Sequence, residues 1–154
     1  MKKSIRFIAI LATVLCLFFS CSDGSGGDCD DSTTERFAAP QDLVGKYYTT
    51  PQEVISFRAN GEESFPDWIL SYQISIYSNG SPGYWVGSYD EYLGEGLYDN
   101  HIMANPPLHM RYYKIWFDDD NNLCIKDMGF SGDDQSGEII TYTIGLPDNV
   151  PALP

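Results

Sequence analysis

Alternation of apolar and polar residues along the stretch from Trp68 to Ser78 constrains the fold of this chain more than any other feature. The apolar residues share one side of an extended chain: Leu70, Tyr72, Ile74 and Ile76. The polar residues share the other side: Ser71, Gln73 and Ser75. A period of two is typical of a β-strand with one buried and one wet face. We therefore expect the side that carries Leu70 to pack in the core of an antiparallel sheet.

Short apolar segments with the same character recur along the chain. We predict further strands over residues 43–48, 54–59, 84–88, 110–118, 122–128 and 138–144, with a strand fragment at 101–104. Turn signals separate them, such as Asn60-Gly61. Residues 89–100 mix Tyr with Asp and Glu around two glycines, which predicts an exposed loop.

The clearest strand pairing is a hairpin with residues 119–121 at its tip. Pairing Phe117 with Leu123, and Ile115 with Ile125, keeps these four apolar side chains on one face of the sheet. A slip of one residue would turn one set outward, so the apolar pattern fixes the register.

Seven or eight short strands without an amphipathic helix indicate an all-β protein. A sheet with one apolar face must close on itself or pack on a second sheet. The sequence therefore predicts a small antiparallel β-barrel or a β-sandwich, and leaves the choice between them open.

Two segments also bear a family resemblance, Leu-Val-Gly-Lys-Tyr at 43–47 and Ile-Ser-Phe-Arg-Ala-Asn-Gly at 55–61. They resemble the opening of lipocalin-like domains, in which Leu-x-Gly-x-Trp starts the barrel and Phe-x-x-x-Gly closes the next strand. The resemblance implies a lipocalin-like barrel. Tyr47 stands where that pattern has tryptophan.

The N-terminus has the layout of a secretory signal peptide. Three positive charges lie within the first six residues, and an apolar run then extends from Phe7 to Phe19, interrupted only by Thr13. This run is shorter than the roughly 20 residues that a membrane-spanning helix needs. We therefore predict a signal peptide over residues 1–20. Small Ser20 then precedes Cys21.

The junction Phe18-Phe19-Ser20-Cys21, with the acidic, glycine-rich stretch after it, resembles the lipoprotein signals of Bacteroidales. The resemblance implies cleavage before Cys21, a covalent lipid on its thiol, and an outer-membrane position facing the cell exterior. Residues 21–38 are then a lipidated acidic Gly/Ser tether, and residues 39–154 form a single β-domain. The alternative is an ordinary cleaved signal peptide with an incidental cysteine.

Charge and cysteine content narrow the range of partners. The net charge of −13 falls to −16 once three positive residues leave with the signal peptide, so the mature chain repels nucleic acids. A bond between Cys29 and Cys124 is compatible with an oxidising envelope. A flexible tether rarely holds disulfide geometry, however, and we expect Cys124 to be a half-buried apolar residue instead.

The chain shows no recognisable catalytic motif. His101 and His109 are its only histidines, and their separation by eight residues and two prolines is not a zinc-ligand spacing. The acidic hairpin tip that begins at Asp118 lacks the glycine and glutamate of an EF-hand loop. We therefore predict no enzyme, no metal site and no cofactor besides the lipid on Cys21.

Aromatic residues are the remaining candidates for function, since the chain has eleven Tyr and three Trp. Such rings stack on the apolar faces of sugars and also offer a polar group. The predicted ligand platform consists of Tyr84, Trp85, Tyr89, Tyr92, Tyr98, Tyr112 and Trp116. The alternative is that these rings fill a core layer or a barrel interior.

These observations favour a non-catalytic surface lipoprotein whose β-domain binds an extracellular ligand, with a glycan as the foremost candidate. Two other functions stay open. One is an accessory subunit that docks on an outer-membrane protein, and the other is a lipocalin-like carrier of a small apolar molecule.

Overall fold

A computed structural model describes residues 35–61, 68–102, 104 and 106–153 of the chain. The predicted signal peptide, Cys21 and most of the predicted tether lie outside these residues. The described residues form one short helix and nine strands: β1 (Arg36–Phe37), α1 (Pro40–Leu43), β2 (Tyr47–Thr49), β3 (Glu53–Ala59), β4 (Trp68–Ser75), β5 (Val86–Gly94), β6 (Leu97–Ile102), β7 (Leu108–Phe117), β8 (Leu123–Asp127) and β9 (Ile139–Ile144).

Strands β2 to β9 form a closed antiparallel barrel of eight strands. Consecutive strands pair from β2 through β9, and the pairing of β2 with β9 closes the sheet on itself. The prediction of a small antiparallel barrel is thus confirmed over a sandwich. Closure also leaves the barrel without free sheet edges. β1 pairs with the end of β7, where Arg36 lies opposite Phe117 and Phe37 opposite Trp116.

The predicted hairpin register is confirmed. Phe117 lies opposite Leu123 and Ile115 opposite Ile125 in the pairing of β7 with β8. All four side chains belong to the apolar core inside the barrel, with Tyr48, Phe57, Tyr98 and Tyr142 among the other members.

The predicted faces of β4 are reversed. Ile69 packs in the interior core, and Ser71 on the same side is buried, so the predicted wet face points inward. Ile74, on the predicted core side, instead joins Val54 and Val150 in a separate group on the outer surface, here called the outer apolar cluster. The C-terminal segment that carries Val150 covers this part of the barrel wall. The reversal arises because the interior contains polar groups.

Residues 89–100, predicted as an exposed loop, belong instead to β5 and β6. The two strands meet in a tight turn at residues 94–96, where Gly94, Glu95 and Gly96 all have positive φ. Only glycine fits easily at Gly96, because a Cβ there would collide with the carbonyl oxygen of Ile115. The loop prediction was wrong because acidic residues and tyrosines alternate along these strands without a purely apolar face.

The N-terminal boundary of the domain also differs from the prediction. Ala38 is fully buried, and the ammonium group of Lys114 donates a hydrogen bond of 2.6 Å to Glu35, so the packed domain includes residues before 39. The predicted strand over 43–48 begins as α1 instead. Pro40 opens this helix, where its missing N–H costs nothing. No helix among residues 35–61, 68–102 and 106–153 is long and apolar enough to span a membrane.

Cys124 is not the half-buried free residue that the sequence predicted. Its side chain is fully buried, and its sulfur belongs to a disulfide. The partner cysteine lies outside the described residues, among which Cys124 is the one cysteine.

Candidate functional site

A chain of hydrogen bonds joins polar side chains inside the barrel. The hydroxyls of Ser71 and Ser88 lie 2.8 Å apart, and the amide of Asn100 donates to Ser88 at 2.8 Å. The same amide donates to Oδ1 of Asp90 at 2.6 Å. These residues come from β4, β5 and β6, so the network crosses the wall of the barrel on its inner side. Such a network gives the interior a polar layer above the apolar core.

Asp90 is the buried acid of this network. Burial raises the pKa of its carboxyl group to about 6, against the lowering effect of hydrogen bonds from Asn100 and Ser71. Asp90, Asn100 and Arg111 occupy one cross-strand row on β5, β6 and β7. The row runs across the inner face of the sheet from the buried acid to Arg111.

A cavity of about 580 Å³, here called the mouth cavity, opens where β7, β8 and β9 meet the loop between β8 and β9. Its volume lies in the range of small-molecule sites in proteins. The lining residues are Arg111, Tyr113, Ile125, Asp127, Gly129, Phe130, Asp134, Ser136, Gly137, Glu138 and Ile140.

An ion pair organises the wall of the mouth cavity. The guanidinium of Arg111 donates to Oδ2 of Asp127, and Oδ1 of Asp127 accepts a hydrogen bond from the backbone of Gly129 at 2.9 Å. Asp127 thus holds both the cation and the start of the loop. The same guanidinium lies 5.5 Å from the ring centre of Phe130, which is 70% exposed at the rim.

The mouth cavity is acidic and contains both donors and acceptors. Three carboxylates, those of Asp127, Asp134 and Glu138, face one guanidinium. The backbone N–H and the hydroxyl of Ser136 both donate to the carboxylate of Asp134. These hydrogen bonds lower the pKa of the carboxyl, so this group carries its charge at neutral pH. Burial raises the pKa of Tyr113 above its usual range, so its hydroxyl keeps its proton and can donate.

The seven aromatic residues predicted as a platform do not share one surface, and none of them lines the mouth cavity. Tyr92 and Tyr98 pack together inside the barrel with ring centres 5.0 Å apart, and Trp116 is fully buried. Trp85 packs against the outer apolar cluster, whereas the neighbouring Tyr84 is 94% exposed. Tyr98 and Trp116 are both fully buried, as in the alternative in which the aromatic rings fill a core layer.

Tyr89 and Tyr112 are the two predicted residues that the structure brings to one surface. They lie on the outer face of strands β4 to β7, here called the histidine face, which also carries Trp68, Asp99, His101 and His109. The ring of Trp68 lies 5.9 Å from that of Tyr89 and 4.7 Å from that of His101. Their spacing in the sequence does not connect these residues, because their proximity depends on the pairing of β4, β5, β6 and β7.

The residues of the mouth cavity were also missed. Arg111 and Asp127 lie 16 positions apart and meet because Tyr113 pairs with Asp127 in the hairpin. The correctly predicted hairpin register already places Asp127 beside Tyr113, so the signal for this pair was available in the sequence. The long loop after β8 gave no such signal.

Comparison with protein-family models, with curated proteins and with solved structures gives no match to this chain.

Proposed function

We propose that the barrel binds a neutral saccharide in the mouth cavity and displays this site from a lipid-anchored tether at the cell surface. The observation that carries the proposal is the cavity itself, whose volume of about 580 Å³ is combined with a wall of paired charges and apolar side chains. The ligand class agrees with the expectation of a glycan, but the binding residues differ from the aromatic platform.

The chemistry of the lining suits a sugar. Each sugar hydroxyl both donates and accepts, and the wall offers donors at Arg111 and Tyr113 and acceptors at Asp127 and Glu138. Ile125, Ile140 and Phe130 offer apolar surface to the carbon face of a pyranose ring. A site of this kind orients its ligand with a few polar groups on a largely apolar surface.

The same lining disfavours the lipocalin-like carrier function for fatty acids and similar anions. Three carboxylates against one guanidinium repel an anionic head group. Behind the cavity, the row of Asn100 and Asp90 is polar, and burying an alkyl chain beside these groups would leave them without water.

Replacing Arg111 with methionine tests the binding site. Hydrogen bonds to a charged group contribute about 1.5–3 kcal/mol, so we expect saccharide affinity to fall roughly 10- to 100-fold. The measurement is isothermal titration with a panel of neutral oligosaccharides, using the parent protein to identify the best ligand.

The matched control for this experiment is Arg58→Met. Arg58 is exposed on β3 and stacks over Tyr72 at 5.9 Å, away from the mouth cavity. The Arg58→Met substitution removes the same charge and should leave saccharide affinity unchanged. Saccharide affinity that is unchanged in the Arg111→Met variant would contradict the proposed site. Loss of binding in a Tyr89→Ala variant would also contradict it, and would move the binding site to the histidine face.

The anchoring part of the proposal rests on the sequence around Cys21. In a bacterium that expresses the full chain, a Cys21→Ala variant is expected to lose all incorporation of labelled palmitate, because its side chain lacks the acylated thiol. The Cys29→Ala variant is the control, since it removes a neighbouring cysteine and should keep the label. Label that persists without Cys21 means that the chain is not a lipoprotein of this type.

A further inference from the structure

Two histidines and one carboxylate converge on the histidine face. Asp99 and His101 lie on β6, and His109 lies directly opposite His101 on β7. Nδ1 of His109 is 2.5 Å from Oδ1 of Asp99, and Nε2 of His101 is 3.7 Å from Oδ2. One donor atom from each of the three side chains can be chosen so that all lie within 4.8 Å of one another.

A β-bulge creates this arrangement. Asn100 pairs with Arg111 and His101 pairs with His109, so Met110 is an extra residue on β7. Without the extra residue, alternation would place His109 and Tyr112 on opposite faces of the strand. The bulge puts both of them on the same face as Asp99. Bulges are often found where a strand must direct a side chain towards a site.

A backbone carbonyl lies beside one nitrogen of each imidazole. Nδ1 of His101 lies 3.0 Å from the carbonyl oxygen of Asp99, and Nε2 of His109 lies 3.3 Å from that of Phe130. A carbonyl oxygen only accepts, so these two nitrogens donate to the carbonyls when the opposite nitrogens bind a metal ion. In the neutral rings, the other nitrogens then hold lone pairs. Those are Nε2 of His101 and Nδ1 of His109, the two nitrogens that face the Asp99 carboxylate.

Lone pairs that face a carboxylate need a positive charge between them. Either an extra proton or a metal ion can supply it. The carbonyl partner on the far side of each ring is the outer-shell contact that orients metal-binding histidines and selects their tautomer. An imidazolium needs no such selection, since both of its nitrogens donate. The two carbonyl contacts suit both an imidazolium and a metal-bound ring, and the feature that points to a metal is the set of two imidazoles and one carboxylate within 4.8 Å of one another.

Neighbouring aromatic rings hold the three side chains in place. Trp68 stacks on His101 with an interplanar angle of 23°, and the ring of Tyr112 lies 4.8 Å from that of His109. The charge of the Asp99 carboxylate raises the pKa of the Tyr112 hydroxyl, so this hydroxyl keeps its proton. The side chains of His101 and Asp99 are 11% and 14% exposed, and that of His109 is 35% exposed. The site is thus ordered by its surroundings and open on the side of His109.

We propose that Asp99, His101 and His109 bind a divalent transition-metal ion, with Zn²⁺ as the best-matched choice. Two imidazoles and one carboxylate suit Zn²⁺ and its neighbours in the first transition row, whereas Ca²⁺ and Mg²⁺ prefer oxygen ligands alone. Zinc bonds of about 2.0–2.2 Å hold tetrahedral donors roughly 3.3 Å apart, so side-chain rotations suffice to close the site. Three protein ligands leave a coordination position for water or a further ligand.

The first test measures stoichiometry and affinity. The full-length protein, purified in detergent without a polyhistidine tag and stripped with EDTA, is titrated with Zn²⁺ by calorimetry. We expect one ion per chain in the parent. The His109→Ala and Asp99→Ala variants should each bind at least about 100-fold more weakly. Asp119→Ala, at the exposed hairpin tip, is the control that removes a carboxylate elsewhere and should bind as the parent does.

The second test reads the tautomers and does not depend on any variant folding. The chain has two histidines, so a long-range proton–nitrogen NMR spectrum of the imidazoles contains two ring systems. We expect opposite tautomers, with protons on Nδ1 of His101 and Nε2 of His109. Zn²⁺ should shift Nε2 of His101 and Nδ1 of His109.

Two results would overturn the metal site. One is Zn²⁺ binding that is unchanged in both the His109→Ala and Asp99→Ala variants, which would mark it as adventitious. The other is a spectrum in which both rings are doubly protonated and do not respond to Zn²⁺, because the charge between the rings and Asp99 is then a proton. Neither result bears on saccharide binding in the mouth cavity, for which Arg111 is tested separately.

Discussion

Replacing Cys29 with serine is expected to lower the free energy of unfolding by about 2–5 kcal/mol. Cys124 is disulfide-bonded, and of the other three cysteines Cys16 and Cys21 fall in the predicted signal peptide and at the predicted lipidation site. Cys29 is therefore the partner that the mature chain offers. A bond between Cys29 and Cys124 closes a loop of about 95 residues (124 − 29), which strongly restricts the unfolded chain. Urea unfolding of a soluble form that begins at Ser22 measures the difference.

Reduction supplies the internal control for this prediction. Dithiothreitol should lower the stability of the parent to that of the Cys29→Ser variant, and it should not change the variant further. Ser32→Ala, in the same segment, should be as stable as the parent. Peptide mapping without reductant should recover Cys29 linked to Cys124. A Cys29→Ser variant with parental stability would show that Cys29 and Cys124 are not linked in this soluble form, and would contradict the assignment.

The sequence predicted the barrel where its apolar pattern was strong. Phe117, Leu123, Ile115 and Ile125 fixed one hairpin, because both strands present a purely apolar face to the core. In β4 the same reasoning chose the wrong face. Ser71 points into the barrel because a partner on the next strand satisfies its hydroxyl there, and alternation alone cannot show this.

The candidate sites could be predicted only in part, because they depend on contacts between strands. His101 and His109 lack any sequence spacing typical of metal ligands, and one bulge at Met110 makes them neighbours. A bulge adds one residue to one strand, and a reading based on a period of two takes no account of it. Tyr89 and Tyr112 lie on the histidine face, whereas Trp116 is fully buried.

Replacing Asp90 with asparagine is expected to stabilise the protein above pH 6, by up to about 3 kcal/mol. Burial raises the pKa of this carboxyl group from 3.8 to about 6. Between these two values the folded state holds a proton that the unfolded state has lost, so the contribution of Asp90 to stability falls as pH rises. Below the unfolded value, Asp90 is neutral in both states and resembles asparagine in shape and charge. The two proteins should therefore differ little in stability at pH 4, which lies just above the unfolded value of 3.8.

Urea unfolding of both proteins at a series of pH values from 4 to 8 measures this difference, and the comparison cancels the groups that titrate equally in each. The control is Asp119→Asn, which removes the same charge at the exposed hairpin tip and should show no such window. A difference between Asp90→Asn and the parent that stays constant across the series would show that the buried carboxyl does not titrate between pH 4 and 6.

A destabilising acid inside a barrel needs a reason to persist. Asp90 accepts from Asn100 at 2.6 Å and shares a cross-strand row with Arg111, which reaches the mouth cavity. Groups kept for binding often cost stability, and their replacement then stabilises the fold while weakening function. If the Asp90→Asn variant gains stability at pH 7 and also binds saccharide more weakly, the acid is maintained for its effect on Arg111 in the wall of the mouth cavity. If affinity is unchanged, the acid serves only the interior network.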